Sequence, residues 1–283
     1  MIPVFFHKFY SVTDTLCNII LLCLIMLVSV SVKAQMSEFS KIEVKYMTTF
    51  LRDTTDVTSK RQEITVLRVG DNRSIFKSEM KLVRDSLLNE NEAQVKREVA
   101  MGQFTLRMPG NLPRVAFRPE VYRYGEKITV YDQLSLDVYS FDAPNALKWN
   151  ITKEKRKIAT YNCQKAVARY GNRDIIAWFT NEVPMDEGPY TFKGLPGLVV
   201  EVYDSKKHYH FSLISVRQWM KRMTPPLRNV IPATYEQFSK KRQEYRDDPT
   251  AYVSQNGIKL PAPAKELRDL ARSNRQRDNN FLD

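Results

Sequence analysis

Gly171-Asn172 is the dipeptide that most narrows what this chain can fold into. Strand-forming runs flank it at residues 157–170 and 173–180, and a Gly-Asn pair between such runs fits a two-residue primed turn. A loop that short fixes the register. It predicts Tyr170 opposite Arg173, Arg169 opposite Asp174, Lys165 opposite Trp178 and Cys163 opposite Thr180. An opposite-charge pair near the turn and a lysine over an indole are both favourable cross-strand neighbours. Ala166, Ala168, Ile175, Ala177 and Phe179 share the other face, the predicted core side.

The next stretch, GPYTFKGLPGLVVEVYD from Gly188 to Asp204, is organised by Gly188, Gly194 and Gly197. Leu195-Pro196-Gly197-Leu198 reads as a type II turn, with proline setting φ at its second position and Gly197 supplying positive φ at its third. Gly171, Asn172, Gly194, Pro196 and Gly197 are therefore the expected turn residues, and residues 198–203 the strand that leaves the corner. The corner itself holds no acid, base or nucleophile.

Alternation elsewhere points to an antiparallel, mainly β chain. Ile42, Val44, Tyr46, Thr48 and Phe50 line one face of a strand at 41–51. Residues 54–60 are polar turn material, and strands at 63–69 and 73–83 turn about Gly70-Asp71-Asn72. The charged stretch 84–98 is an exposed excursion, helix or loop. A hairpin around Gly125-Glu126 joins strands at 120–124 and 127–132, followed by strands at 134–141, 147–151 and, after the corner, 208–216. Helices come late. Thr234 and Gln237 have capping-box spacing for a helix near 234–246, and a short helix at 264–272 leads into a polar tail expected to be disordered. The predicted architecture is a curved antiparallel sheet or partly open barrel, one domain over 35–263 with its motif core at 157–204.

Residues 1–34 read as a secretory signal: Lys8 starts it, an apolar run follows over 19–32, and Val32-Lys33-Ala34 offers a cleavage site before Gln35. Cleavage leaves 249 of 283 residues, and the net charge falls from +12 to +11 as Lys8, Lys33 and Asp14 depart. Cys17 and Cys23 also leave, so Cys163 stays alone as a buried thiol, with no internal disulfide and no Cys-rich zinc site. Export argues against nucleic acid as the partner of a basic chain. It leaves lipid head groups, acidic peptides and envelope proteins, with contact at a membrane face, against the plainer reading of a basic, solvated surface.

Chemistry is sparsely advertised. His208 and His210 lie two apart on a strand and face the same way, but no motif supplies a third metal ligand, so no metal and no cofactor is expected. Asp186-Glu187 and the Glu201/Asp204 pair read as loop and strand carboxylates. The aromatics around the corner are either core or the lining of an apolar groove, and for the groove Trp178, Tyr190, Phe192, Leu195, Pro196 and Gly197 are the candidate ligand-binding residues. Arg169, Arg173, Lys193, Lys206 and Lys207 stand nearby as candidate partners of an anionic head group.

Three stretches together resemble the GLPGLI family of exported bacterial proteins: IATYNCQKA at 158–166, GNRDIIAWFT at 171–180 and VPMDEGPYTFKGLPGLV at 183–199. Val199 stands where the family motif ends in isoleucine, and Thr160 where it has glycine before the tyrosine. The family is one of unknown function in bacteria with an outer membrane. The resemblance implies the periplasm or the periplasmic face of the outer membrane, and no catalytic residues. The expected role is non-catalytic binding of an apolar or extended ligand or docking to an envelope partner. The alternatives are a hydrolase near His208, His210 and Glu201, or a structural subunit of an outer-membrane assembly.

Overall fold

The computed structural model describes residues 39–101, 110–135, 137–143, 147–223, 230–255 and 265–282. The predicted signal, the Pro225-Pro226 break and the first residue of the second late helix lie outside the described residues. The chain enters as β1 (Phe39–Leu51), β2 (Lys60–Val69) and β3 (Arg73–Ser78), then a helix, α1 (Glu79–Ala100). A second antiparallel run follows as β4 (Glu120–Tyr124), β5 (Lys127–Leu134) and β6 (Asp137–Asp142). The motif region supplies β7 (Asn150–Ile158), β8 (Tyr161–Tyr170), β9 (Arg173–Thr180), β10 (Leu198–Asp204) and β11 (Tyr209–Arg222). The remaining elements are β12 (Val230–Pro232), α2 (Tyr235–Asp247), α3 (Pro249–Gln255) and α4 (Lys265–Gln276).

All twelve strands belong to one curved sheet that does not close, in the order β12-β6-β5-β4-β3-β2-β1-β11-β10-β9-β8-β7. Every pairing is antiparallel except that of β12 with β6. The mainly β expectation holds, and among the described residues three of the four α-helices come late in the chain.

β1 sits mid-sheet, and its alternation drives the core: Val44, Tyr46 and Phe50 are buried on the face where Leu67, Phe76, Val121, Val130 and Phe141 also pack. The β8/β9 register is as predicted from Tyr170–Arg173 through Lys165–Trp178, and the ladder ends at Gln164–Phe179, one pair short of Cys163–Thr180. Arg169 and Asp174 form the expected ion pair at 2.6 Å. The lysine–indole contact does not form. Lys165 reaches Glu154 at 2.9 Å, and Arg156 from the β7 edge covers the Trp178 ring at 4.1 Å. Trp178, Cys163 and Val200 form a small buried cluster on the opposite face, so both faces of this part of the sheet bury apolar groups.

Several boundaries differ from expectation for local reasons. β3 stops at Ser78 because its hydroxyl accepts the Lys81 amide at 3.1 Å, as an N-cap does, so 79–83 begins α1 rather than continuing the strand. The run 157–170 is two strands, since Ala159 takes a φ of 51° and turns β7 into β8. β11 continues to Arg222. The capping box is present, with Thr234 accepting from the Gln237 amide and Gln237 accepting from Thr234.

The tail is the largest correction. Residues 278–282 are not a loose polar end: Asn280 and Leu282 are buried and the backbone amides of Asn279 and Asn280 both donate to the Arg52 carbonyl.

Candidate ligand-binding site

The loop between β9 and β10 lies along the core face and forms one wall of the site. Its backbone is stitched to itself and to β10: Gly194 N donates to Asp186 O at 3.0 Å, and Leu198 N and Val199 N donate to Val183 O and Glu187 O, each at 3.0 Å. Gly197 does not have positive φ, so the type II turn is not formed. The left-handed glycine here is Gly194, at φ 87°. Gly197 is required for space instead, because a Cβ there would lie 2.1 Å from Thr180 O. Gly188 is confined in the same way, its added Cβ falling 2.2 Å from Phe192 O.

Beneath the loop lies a buried ion pair. Lys193 contacts the Glu187 carboxylate, Ser74 Oγ at 3.1 Å and Gly188 O at 3.3 Å, while Arg123 reaches Glu187 at 3.3 Å and Asp186 at 2.6 Å. Burial pushes the Lys193 ammonium below the usual lysine range, with the Glu187 charge opposing. The side chain taken from sequence as a surface cation is a structural anchor. The Tyr46 hydroxyl donates to Val199 O at 2.8 Å and fixes the strand end, and burial, followed by the Glu187 charge, raises that phenol well above its usual range.

A cavity of about 110 Å³ opens between the core face, α2 and the tail. Its floor is aromatic and aliphatic, with Phe50, Phe117, Val130, Leu134, Phe141 and Tyr190. Glu63 puts Phe117 there by accepting the Ala116 and Phe117 amides at 2.7 and 2.8 Å. Helix α2 supplies Phe238 and Tyr245, one apolar stripe, with Arg242 and Arg246 beside it. Arg52, Arg118 and Arg275 complete a basic rim.

The chain's own segment 278–282 closes the opening. Asp278 accepts from Arg52 Nε at 2.7 Å and from Arg118 at 3.4 Å, with Arg275 at 3.8 Å. Tyr209 donates its hydroxyl to Asn280 O at 2.7 Å, and Arg173 donates to Asn280 Oδ1 and to Phe281 O at 2.8 Å. Asn279 is held by Thr54 at 2.9 Å and donates to Asp53 at 2.7 Å, and hydrogen bonds from Thr55 keep the Asp53 carboxyl below its usual range. Phe281 lies under the Arg242 guanidinium at 3.9 Å, and Leu282 is only 5 % exposed. With this plug seated, the free volume is well below the ~300–1,000 Å³ of ordinary ligand pockets.

Of the residues expected to bind a ligand, Tyr190 alone lines the cavity. Phe192 packs behind it against Tyr170 and Phe211, Leu195 is core, Pro196 is exposed and Trp178 is on the other face. Arg173 works in the site as a tail ligand; Lys206 and Lys207 are exposed. The residues missed in sequence are Phe117, Phe238, Arg242, Asp278 and Phe281. An apolar Phe-Leu pair after a long polar stretch was the available signal for the tail.

On the opposite face His210 Nε2 meets Glu201 Oε1 at 2.8 Å and its ring sits edge-on to Tyr203, while His208 precedes the strand and its carbonyl accepts the Leu51 amide. Glu201 also pairs with Arg156. Burial lowers the His210 pKa first, then the charges of Lys207, Lys60 and Arg156. Burial also raises the Cys163 thiol. Among the described residues no group of three or more His, Cys, Asp or Glu is placed to hold a metal, and no helix is long and apolar enough to cross a membrane.

Residues 170–201 match a family model described as a protein of unknown function (Porph_ging). That span runs from the β8/β9 turn through the glycine-bearing loop. No curated protein matches the chain. Two solved crystal forms of PNGF-II, in space groups P21 and C2, are similar at TM-scores of 0.46 and 0.42 with 13% and 14% identity. Each alignment covers 71% of this chain and 32% of that one, so the chain spans about a third of the length of the structures it matches.

Proposed function

We propose that this protein is a non-catalytic binding module of the exported GLPGLI type, acting in the periplasm or at the periplasmic face of the outer membrane. Its ligand enters the apolar cavity between the sheet and α2. The observation that carries the reading is the plug: a floor of aromatics under a basic rim, occupied by an acidic, apolar-ended segment of the same chain. Core-face aromatics alone would be packing. Five arginines, Arg52, Arg118, Arg242, Arg246 and Arg275, against two carboxylates, Asp132 and Asp278, make the same space attractive to an apolar group with an anionic end.

The role of the β9–β10 loop is then to form a rigid wall, with Tyr190 as its contribution to the lining. Export is supported by the composition of residues 1–34. The test is native mass spectrometry of protein purified gently from its native host, together with uptake of an apolar anionic fluorophore. A retained mass lost on denaturation, or saturable uptake at one site in a Phe281→Ala variant that unseats the plug, is expected. An empty wild-type protein together with a folded Phe281→Ala variant that takes up no probe would overturn the reading.

A further inference from the structure

Resting on that binding reading, we infer that the cavity is a peptide-docking site whose partner carries an acidic residue followed three positions later by an aromatic–aliphatic pair. The resident segment Asp278–Leu282 reveals what the site recognises, because its contacts sort by chemistry. The carboxylate of Asp278 is met by three guanidinium groups, those of Arg52, Arg118 and Arg275. Arg275 belongs to the helix that leads into the segment, whereas Arg52 and Arg118 come from elsewhere in the chain, and these two cations select an acidic side chain.

The middle of the segment is read through peptide groups. The amides of Asn279 and Asn280 donate to Arg52 O at 3.1 and 3.3 Å, and the carbonyls of Asn280 and Phe281 accept from Tyr209 and Arg173 at 2.7 and 2.8 Å. An acyl chain has neither donors nor acceptors there and would forfeit the hydrogen bonds to Arg52 O, from the Tyr209 hydroxyl and from the Arg173 arm not engaged with Asp204, at a cost that disfavours it. The far end is apolar: Phe281 under Arg242, and Leu282 in the core. Together these specify an extended peptide rather than a lipid.

The resident segment competes from within the same chain, at an effective concentration on the order of mM. A free peptide therefore binds the wild-type chain weakly, and tightly only where the resident is disarmed. The experiment is fluorescence anisotropy with a labelled peptide having the sequence of residues 277–282, titrated with full-length protein. The Asp278→Ala/Phe281→Ala variant is expected to bind it at least tenfold more tightly than wild type. Replacing the aspartate of the probe, or its Phe-Leu pair, by alanine is expected to weaken binding at least tenfold. If the double variant does not fold, Asp278→Asn, which keeps the shape and removes the charge, serves in its place with the same probes.

Binding no tighter than wild type in a folded variant, or indifference to the alanine replacements, overturns the inference. An apolar fluorophore run in parallel separates the two ideas. Uptake of dye without peptide leaves the cavity a ligand site and removes the peptide; uptake of neither removes both.

Discussion

A Cβ atom on Gly197 would lie 2.1 Å from the carbonyl oxygen of Thr180, so the two strands meeting at the β9–β10 loop approach more closely than any other residue allows. Gly197→Ala is expected to cost about 3 kcal/mol or more, since backbone must move to relieve the contact. Gly188→Ala, aimed at Phe192 O and Val199, belongs to the same class. Gly194→Ala has open space around it and a positive φ, so its cost is conformational, about 1 kcal/mol. Urea denaturation of the three variants checks the order; a Gly194 variant as damaging as Gly197 would contradict it.

Lys193 and Glu187 are both buried and paired; removing Glu187 strands the Lys193 charge, and removing Lys193 leaves Glu187 only the longer contact from Arg123 at 3.3 Å. Lys193→Met is expected to destabilise by about 3–5 kcal/mol. The double variant Lys193→Met/Glu187→Leu should cost less than the sum of the two single changes, with a coupling of about 1 kcal/mol or more in a double-mutant cycle. Additive losses would mean that the pair is not the anchor of the loop.

How much of this was readable in advance depended on the range of the interactions. The β8/β9 register was legible because Gly171-Asn172 fixes it within ten residues, and the Thr234/Gln237 cap because its partners are three apart. For Gly197 the local sequence points to the wrong cause for a related reason. A turn is local, whereas the approach to Thr180 depends on how two strands separated by a loop come together. The site was mostly illegible. Arg52, Phe117, Tyr190, Phe238 and Phe281 come from five separate stretches of chain, and no periodicity links them. The tail's polarity hid its role, since Asp278, Asn279 and Asn280 are polar in order to be bound.

His210 should titrate below an ordinary imidazole, because burial and the charges of Lys207, Lys60 and Arg156 disfavour its protonation. With the folded pKa depressed, the unfolded chain binds the proton first, so the contribution to stability is lost as pH falls below the unfolded value of about 6.5. Arg156→Gln removes one cation and frees Glu201 from its competing pair, so the His210 midpoint is expected to rise. A two-dimensional carbon–proton NMR titration reads it. An unchanged or lower midpoint would contradict the assignment.

Cys163 is buried against Trp178 and Val200, and burial raises its thiol. A thiol reagent at neutral pH should modify it only on unfolding, at the rate at which the protein opens. Rapid modification of the folded protein would show that this face is less closed than the structure has it.

The central claim is that the space behind Phe281 is a ligand site closed by the chain's own tail. The direct measurement is titration of the full-length Phe281→Ala variant with an apolar anionic fluorophore, alone and combined with Leu134→Trp, which fills the cavity floor. The account predicts saturable uptake at one site in Phe281→Ala and at least a tenfold loss of affinity in the double variant. No saturable uptake by the folded single variant, or uptake untouched by Leu134→Trp, would contradict it.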